Sequence, residues 1–202
     1  KILSAENLEA FKAGAEIPNI ISASFQDMFA TFGGAGSTLS LLIAMVLICK
    51  SKRIKSLGKL SMLPGIFGIN EPIIFGLPIM LNPILLIPFV LVPTVNIIIT
   101  YFCMSSGLVP LTNGVQLPWT TPIVFSGFLT TGWQGAVLQV ILLVIGVFMY
   151  MPFIKMLDNQ YLKEEENDYN DLFGYIDYDF DEMSTYKINS FALTNIEAYR
   201  SI

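Results

Sequence analysis

Apolar residues fill this chain in long runs from about residue 28 to residue 154, and polar positions interrupt them at only a few places. Between Leu60 and Ile154 the 95 residues hold one charged side chain, Glu71. A soluble domain of that size needs a charged surface, about a quarter of its residues on average. The pattern therefore predicts an all-α integral membrane domain. Residues 28–49 and 133–154 are two 22-residue stretches without a charge. At 1.5 Å per residue each makes a helix of about 33 Å, enough for a hydrocarbon core of ~30 Å. The first opens on Gly33-Gly34-Ala35-Gly36-Ser37-Thr38, which either packs closely against a neighbouring helix or marks a re-entrant tip.

The remaining elements follow from where prolines, glycines and charges fall. Residues 1–27 mix charges with apolar positions and read as a peripheral or interfacial helix broken near Gly14 and Pro18. Lys50, Lys52, Arg53, Lys55 and Lys59 crowd a loop at 50–59, which the positive-inside rule places in the cytoplasm. Residues 61–72 are apolar but carry Pro64, Gly65, Gly68, Asn70, Glu71 and Pro72. They predict a re-entrant loop with Glu71 near its tip, because non-helical backbone at membrane depth must line a cavity or be buried in protein. Residues 73–104 predict a short helix to about Leu81, a break at Asn82-Pro83, and a crossing helix kinked by Pro88 and Pro93. Residues 105–131 predict a second re-entrant hairpin with Pro118-Trp119-Thr120-Thr121-Pro122 at its tip. Broken segments flanking ordinary spans are the pattern of a transporter site.

Charge divides the chain into three parts. Residues 158–202 hold eleven acidic and three basic side chains, so the net charge of −5 belongs to a tail. No helical period is visible in it, and a soluble, poorly ordered cytoplasmic tail is expected. The organisation is thus a peripheral segment at 1–27, a membrane transport domain at 28–157 and the acidic tail at 158–202. Nothing supports nucleic-acid binding, which needs a basic face. There is no histidine, and Cys49 and Cys103 both sit in apolar surroundings, so no metal site or cofactor is expected. The first residue is Lys, and the chain reads as a piece of a longer one.

A carboxylate inside a membrane domain is expensive and is kept where it faces a cavity, a partner or a substrate. Glu71 is therefore the leading candidate: it can accept hydrogen bonds from sugar hydroxyls, act as a general base or carry a proton, or it can simply hold its loop. Asn70 and Asn82 offer carboxamides for substrate or for capping. Trp119 offers an aromatic face that suits a pyranose ring, with Thr120 beside it, or else marks an interfacial belt. Gly36 and Ser37 lie where backbone amides can approach a substrate or where helices pack.

Gly68-Ile69-Asn70-Glu71-Pro72-Ile73-Ile74-Phe75-Gly76-Leu77-Pro78, with Leu81-Asn82-Pro83, resembles the membrane-spanning IIC component of the sugar phosphotransferase system, in its lactose, cellobiose and diacetylchitobiose branch. Pro118-Trp119-Thr120-Thr121-Pro122 and the glycine cluster from Gly33 are similar to further motifs of that family, and the resemblance covers about residues 20–160. It implies a homodimeric permease of the bacterial plasma membrane, with this chain as the sugar-binding second half. It also implies a disaccharide phosphorylated at its 6-hydroxyl by a cysteine on a separate IIB component, itself charged by IIA. The donor cysteine is then not on this chain. Glu71 is implied to contact the hydroxyl that is phosphorylated, and Trp119 to lie at the sugar. The family's sugar-site histidine would precede residue 1, and the tail beyond about Asn167 departs from the family pattern. Two other readings remain: a proton-coupled secondary transporter using Glu71, and a remnant that does not transport.

Overall fold

The computed structural model describes residues 2–118 and 120–182, with side chains through Asn170. Every regular element among them is helical. α1 (Ile2–Lys12) packs through Asn7, whose buried carboxamide donates to the carbonyls of Asn19 and Thr112 at 2.8 and 3.1 Å. α2 (Ala23–Phe25) is a single turn capped by Ser22, and it runs into a π-helical turn at Gln26–Ala30. The chain then breaks, makes a 3₁₀ turn at Ala35–Ser37 and continues as α3 (Thr38–Ile48). α4 (Lys52–Ile66), α5 (Glu71–Gly76), a 3₁₀ turn at Ile79–Leu81 and α6 (Pro83–Ser105) follow. A long irregular stretch leads to α7 (Phe125–Thr131) and then to α8 (Trp133–Glu182).

Among the described residues, three helical stretches are long and apolar enough to cross a membrane: Ala23–Ile48, Pro83–Ser105 and Trp133–Asn170. They play different parts. α3 is apolar around its whole circumference, the pattern of a largely buried helix, and only Leu47 near its end is exposed. Leu41, Leu42, Ala44 and Met45 are sealed between α4, α6 and α8, against Ile54, Leu85, Val92, Tyr150 and Ile154. α6 buries one stripe at a spacing of about four residues, Pro88, Val92, Asn96, Thr100 and Met104, and leaves Ile87, Val90, Ile98 and Phe102 exposed. That is the form of a helix with one face on protein and the other on lipid. A second core joins Phe25, Met28, Phe29 and Phe32 to Met104, Val109, Leu138 and Leu142.

Besides the run at 28–49, of which α3 takes only Thr38–Ile48, two stretches differ from the sequence expectation. The basic segment at 50–59 is not a loop: it forms most of α4, capped by the Ser51 hydroxyl oxygen on the Ile54 amide at 3.3 Å. The helix also runs on through Pro64 and Gly65 to Ile66, where the sequence suggested a broken loop. Packing outweighs the breakers here. Gly58 and Gly65 let α4 lie directly on Met45 and Leu42 of α3, an approach that a Cβ at either position would obstruct. α8 is the second difference. It does not end near Ile154 but continues through the acidic run to Glu182. The helix already formed upstream removes the nucleation barrier, and Lys163 to Glu166 are good helix formers. Residues 183–202 of the expected tail lie outside the described residues.

Candidate functional site

A cavity of about 310 Å³ opens where three separate stretches of chain converge. One wall is the π-turn and the break after it, contributing Asp27, Met28, Thr31, Phe32 and residues 33–35. The second is the connection from α4 to α5, with Gly68, Asn70 and Glu71. The third is Thr121 with Ser126 of α7.

The first two walls meet through Asn70. Its Nδ2 donates to the Ala35 carbonyl at 3.1 Å. Gly34, at φ +98°, allows this contact, because a Cβ there would come within 2.7 Å of the Asn70 carboxamide. Glu71 then opens α5, followed by Pro72 in the first turn, where a missing N–H forfeits no helical hydrogen bond. Both Glu71 and Asp27 are exposed, and among the described residues no side chain pairs with either carboxylate. The cavity thus presents two carboxylates, a carboxamide and three hydroxyls, a set suited to a ligand rich in hydroxyl groups.

Gln139 of α8 ties the first and third walls together from beneath. Its Nε2 donates to the Met28 carbonyl at 2.6 Å and to Ser126 Oγ at 2.9 Å. Its Oε1 accepts from the amides of Val124 and Gly127 at 2.7 and 3.0 Å. All four of its hydrogen-bonding positions are used, and the residue is fully buried. These bonds hold Val124 at φ +72°, a left-handed conformation unusual for a β-branched residue.

The residues singled out in the sequence fall into three groups. Asn70 and Glu71 stand in the cavity wall. Gly36 and Ser37 are buried immediately behind it, with the Gly36 carbonyl and the Ser37 hydroxyl engaged by other helices. Asn82 caps α6, its Oδ1 accepting from the Ile84 amide at 3.0 Å. Thr120 is half-buried, while its neighbour Thr121 lines the cavity and closes the turn by donating to the Pro118 carbonyl at 2.7 Å. Trp119 lies outside the described residues. Sequence reasoning passed over Asp27 and Gln139. Each left a trace, one as the last charge before an apolar run and the other as a polar side chain deep inside a span.

Cys49 sits just past Ile48, the last residue of its span, and is buried. Burial and then the neighbouring Asp158 push its thiol up to about 12, so it stays protonated near neutral pH.

Residues 1–93 match the family described as Phosphotransferase system, EIIC. The chain is 48% identical over 163 residues to the lichenan permease IIC component of Bacillus subtilis (strain 168), covering 80% of this chain and 36% of that protein. It is 46% identical over 170 residues to the cellobiose-specific EIIC component of Geobacillus stearothermophilus, covering 82% and 38%. The crystal structure of ChbC, the IIC component from the N,N'-diacetylchitobiose-specific phosphotransferase system, superimposes with a TM-score of 0.79 at 46% identity, covering 82% of this chain and 39% of that one. The chain therefore spans a little over a third of the length of these relatives.

Proposed function

We infer that the chain belongs to the phosphotransferase system EIIC family, and we propose that it forms the sugar-binding and translocating part of a permease for a disaccharide. Candidate sugars are cellobiose, lactose or diacetylchitobiose, the compounds handled by this branch. One observation carries the reading. The Asn70-Glu71 pair and the glycine-broken segment, distant in sequence, form one cavity rich in groups that bind hydroxyls. Its volume of about 310 Å³ lies at the lower end of the range for small-molecule sites.

In this reading the sugar's hydroxyls bond to Glu71 and Asn70, and Trp119 with Thr120 covers an apolar face of the ring. Gly36 and Ser37 back the wall, and Asn82 sets the start of α6. The 6-hydroxyl attacks the phosphorus of a phosphocysteine on IIB, an O–P bond forms as the P–S bond breaks, and Glu71 takes the hydroxyl proton. IIA recharges IIB. The segments around Glu71 and around residues 118–122 are the two re-entrant hairpins, the 50–59 stretch and the acidic tail face the cytoplasm of a bacterial cell, and the complete permease is a homodimer. The positive-inside rule and the anionic inner leaflet support that orientation.

The complete permease containing this chain, reconstituted with IIB and IIA, tests the proposal. Sugar 6-phosphate is expected to accumulate inside vesicles only when phosphoenolpyruvate is supplied. Unmodified disaccharide accumulating on an imposed proton gradient would instead make Glu71 the proton site of a secondary transporter.

A further inference from the structure

The glycine-broken wall of the cavity is held from behind by two buried side chains that never reach the cavity. Residues 33–35 line the cavity, while Gly36 and Ser37 complete the turn at φ +74° and +52°. A left-handed serine is strained and persists only where its surroundings over-determine it. The determinants here come from α6 and α8. Tyr150 of α8 is fully buried, and its hydroxyl donates to the Gly36 carbonyl at 2.6 Å. Asn96 of α6 is also fully buried, and its Nδ2 donates to Ser37 Oγ at 3.1 Å. Ser37 Oγ in turn donates to the Ala30 carbonyl at 3.0 Å, back in the π-turn. Phe89 of α6 lies against Gly36, in the place that a Cβ would take.

We propose that Tyr150 and Asn96 are positioning residues, which set sugar affinity by fixing residues 33–37 in the conformation that presents the inner wall of the cavity. The proposal rests on the sugar-permease reading above. Asn96 shows why stability alone does not account for the arrangement. Its Oδ1 is buried with no hydrogen-bond partner among the described residues, a state that weakens the fold. A carboxamide placed only to stabilise the bundle would satisfy both ends or be replaced by an apolar residue. What Asn96 does provide is the one bond to Ser37.

Two substitutions in the complete permease test this. Tyr150→Phe removes one hydroxyl and keeps the ring, and Asn96→Leu removes the unpartnered oxygen together with the Ser37 bond. Both variants are expected to raise KM for the disaccharide about three- to tenfold with kcat within twofold, as the loss of one hydrogen bond predicts. Amide hydrogen exchange at residues 33–38 should quicken by a similar factor. Asn96→Leu should do so without any fall in melting temperature, a combination that a merely structural role does not produce. Unchanged exchange at 33–38, or quicker exchange with KM unchanged, overturns the proposal, as does a loss of melting temperature in both variants with KM intact. If the unsubstituted permease phosphorylates no disaccharide, the functional reading itself fails. Exchange at 33–38 then still decides whether Tyr150 and Asn96 hold the segment.

Discussion

The two ends of α4 treat carboxylates in opposite ways. At its N-terminus, Asp158 of α8 is almost completely buried and accepts from the amides of Lys50 and Ser51 at about 2.9 Å. Glu165 accepts from the Ser51 hydroxyl at 2.7 Å and from the Arg53 amide at 3.2 Å. These acids satisfy backbone donors that a helix start leaves unpaired, and they sit where the helix dipole favours negative charge. Beyond the other end of α4, about 22 Å further along, Glu71 and Asp27 face the cavity with no side-chain partner among the described residues. The residue types are the same, and the difference lies in whether the oxygens are already occupied. An occupied carboxylate is structure, and an unoccupied one in a cavity is available to a ligand.

Exchanging charge for amide at Glu71 should have the largest effect on this division. Glu71→Gln in the complete permease is expected to lower sugar phosphorylation by ~10²–10⁴-fold while membrane insertion and melting temperature stay unchanged, because a base's contribution is of that order. Phosphorylation normalised to folded protein checks it, and near-normal turnover with lowered stability would make Glu71 a structural acid like Asp158. Asp158→Ala should do the reverse. It leaves the Lys50 and Ser51 amides without acceptors, a loss of about 1–3 kcal/mol of stability, with turnover per folded molecule within twofold. A denaturation series beside the same assay would show whether the N-terminal end of α4 influences the cavity. Arg53→Ala should be the smallest change. Its contact with Glu164 is 3.8 Å long and exposed, and its guanidinium lies 5.3 Å from the Tyr161 ring. Such contacts are worth at most about 1 kcal/mol, and a larger shift would mean that the side chains at the N-terminus of α4 act as a network.

What the sequence made legible was local. The break at Asn82-Pro83, the charge-free runs and the distinctiveness of Glu71 all follow from residues close in the chain, whereas the first run, expected as one helix over 28–49, is α-helical only from Thr38. The long-range connections were not legible. Gln139 reaches Met28 across 111 positions, Tyr150 reaches Gly36 across 114, and Asp158 reaches Lys50 across 108. No periodicity reports a hydrogen bond of that range. The helical state of the acidic stretch was hidden for a related reason. Its local pattern shows no helical period, and its first turns are organised by α4, an element more than a hundred residues earlier. Residues 61–66 were misjudged because Pro64 and Gly65 look like breakers until α3 is seen packed against them.

Gln139, Tyr150 and Asp158 share one uninterrupted helix, α8, and each grips a different part of the chain. From the first to the last is 19 residues, about 28 Å of helix and close to the ~30 Å thickness of a hydrocarbon core. That makes the stretch a ruler as well as a strut. Adding or removing a single residue between Gln139 and Asp158 turns everything downstream by about 100° and slides it 1.5 Å, so one grip can be kept only by losing another. Length changes that an irregular stretch can absorb are closed to this segment, and relatives of this protein are expected to keep its count together with its three gripping residues.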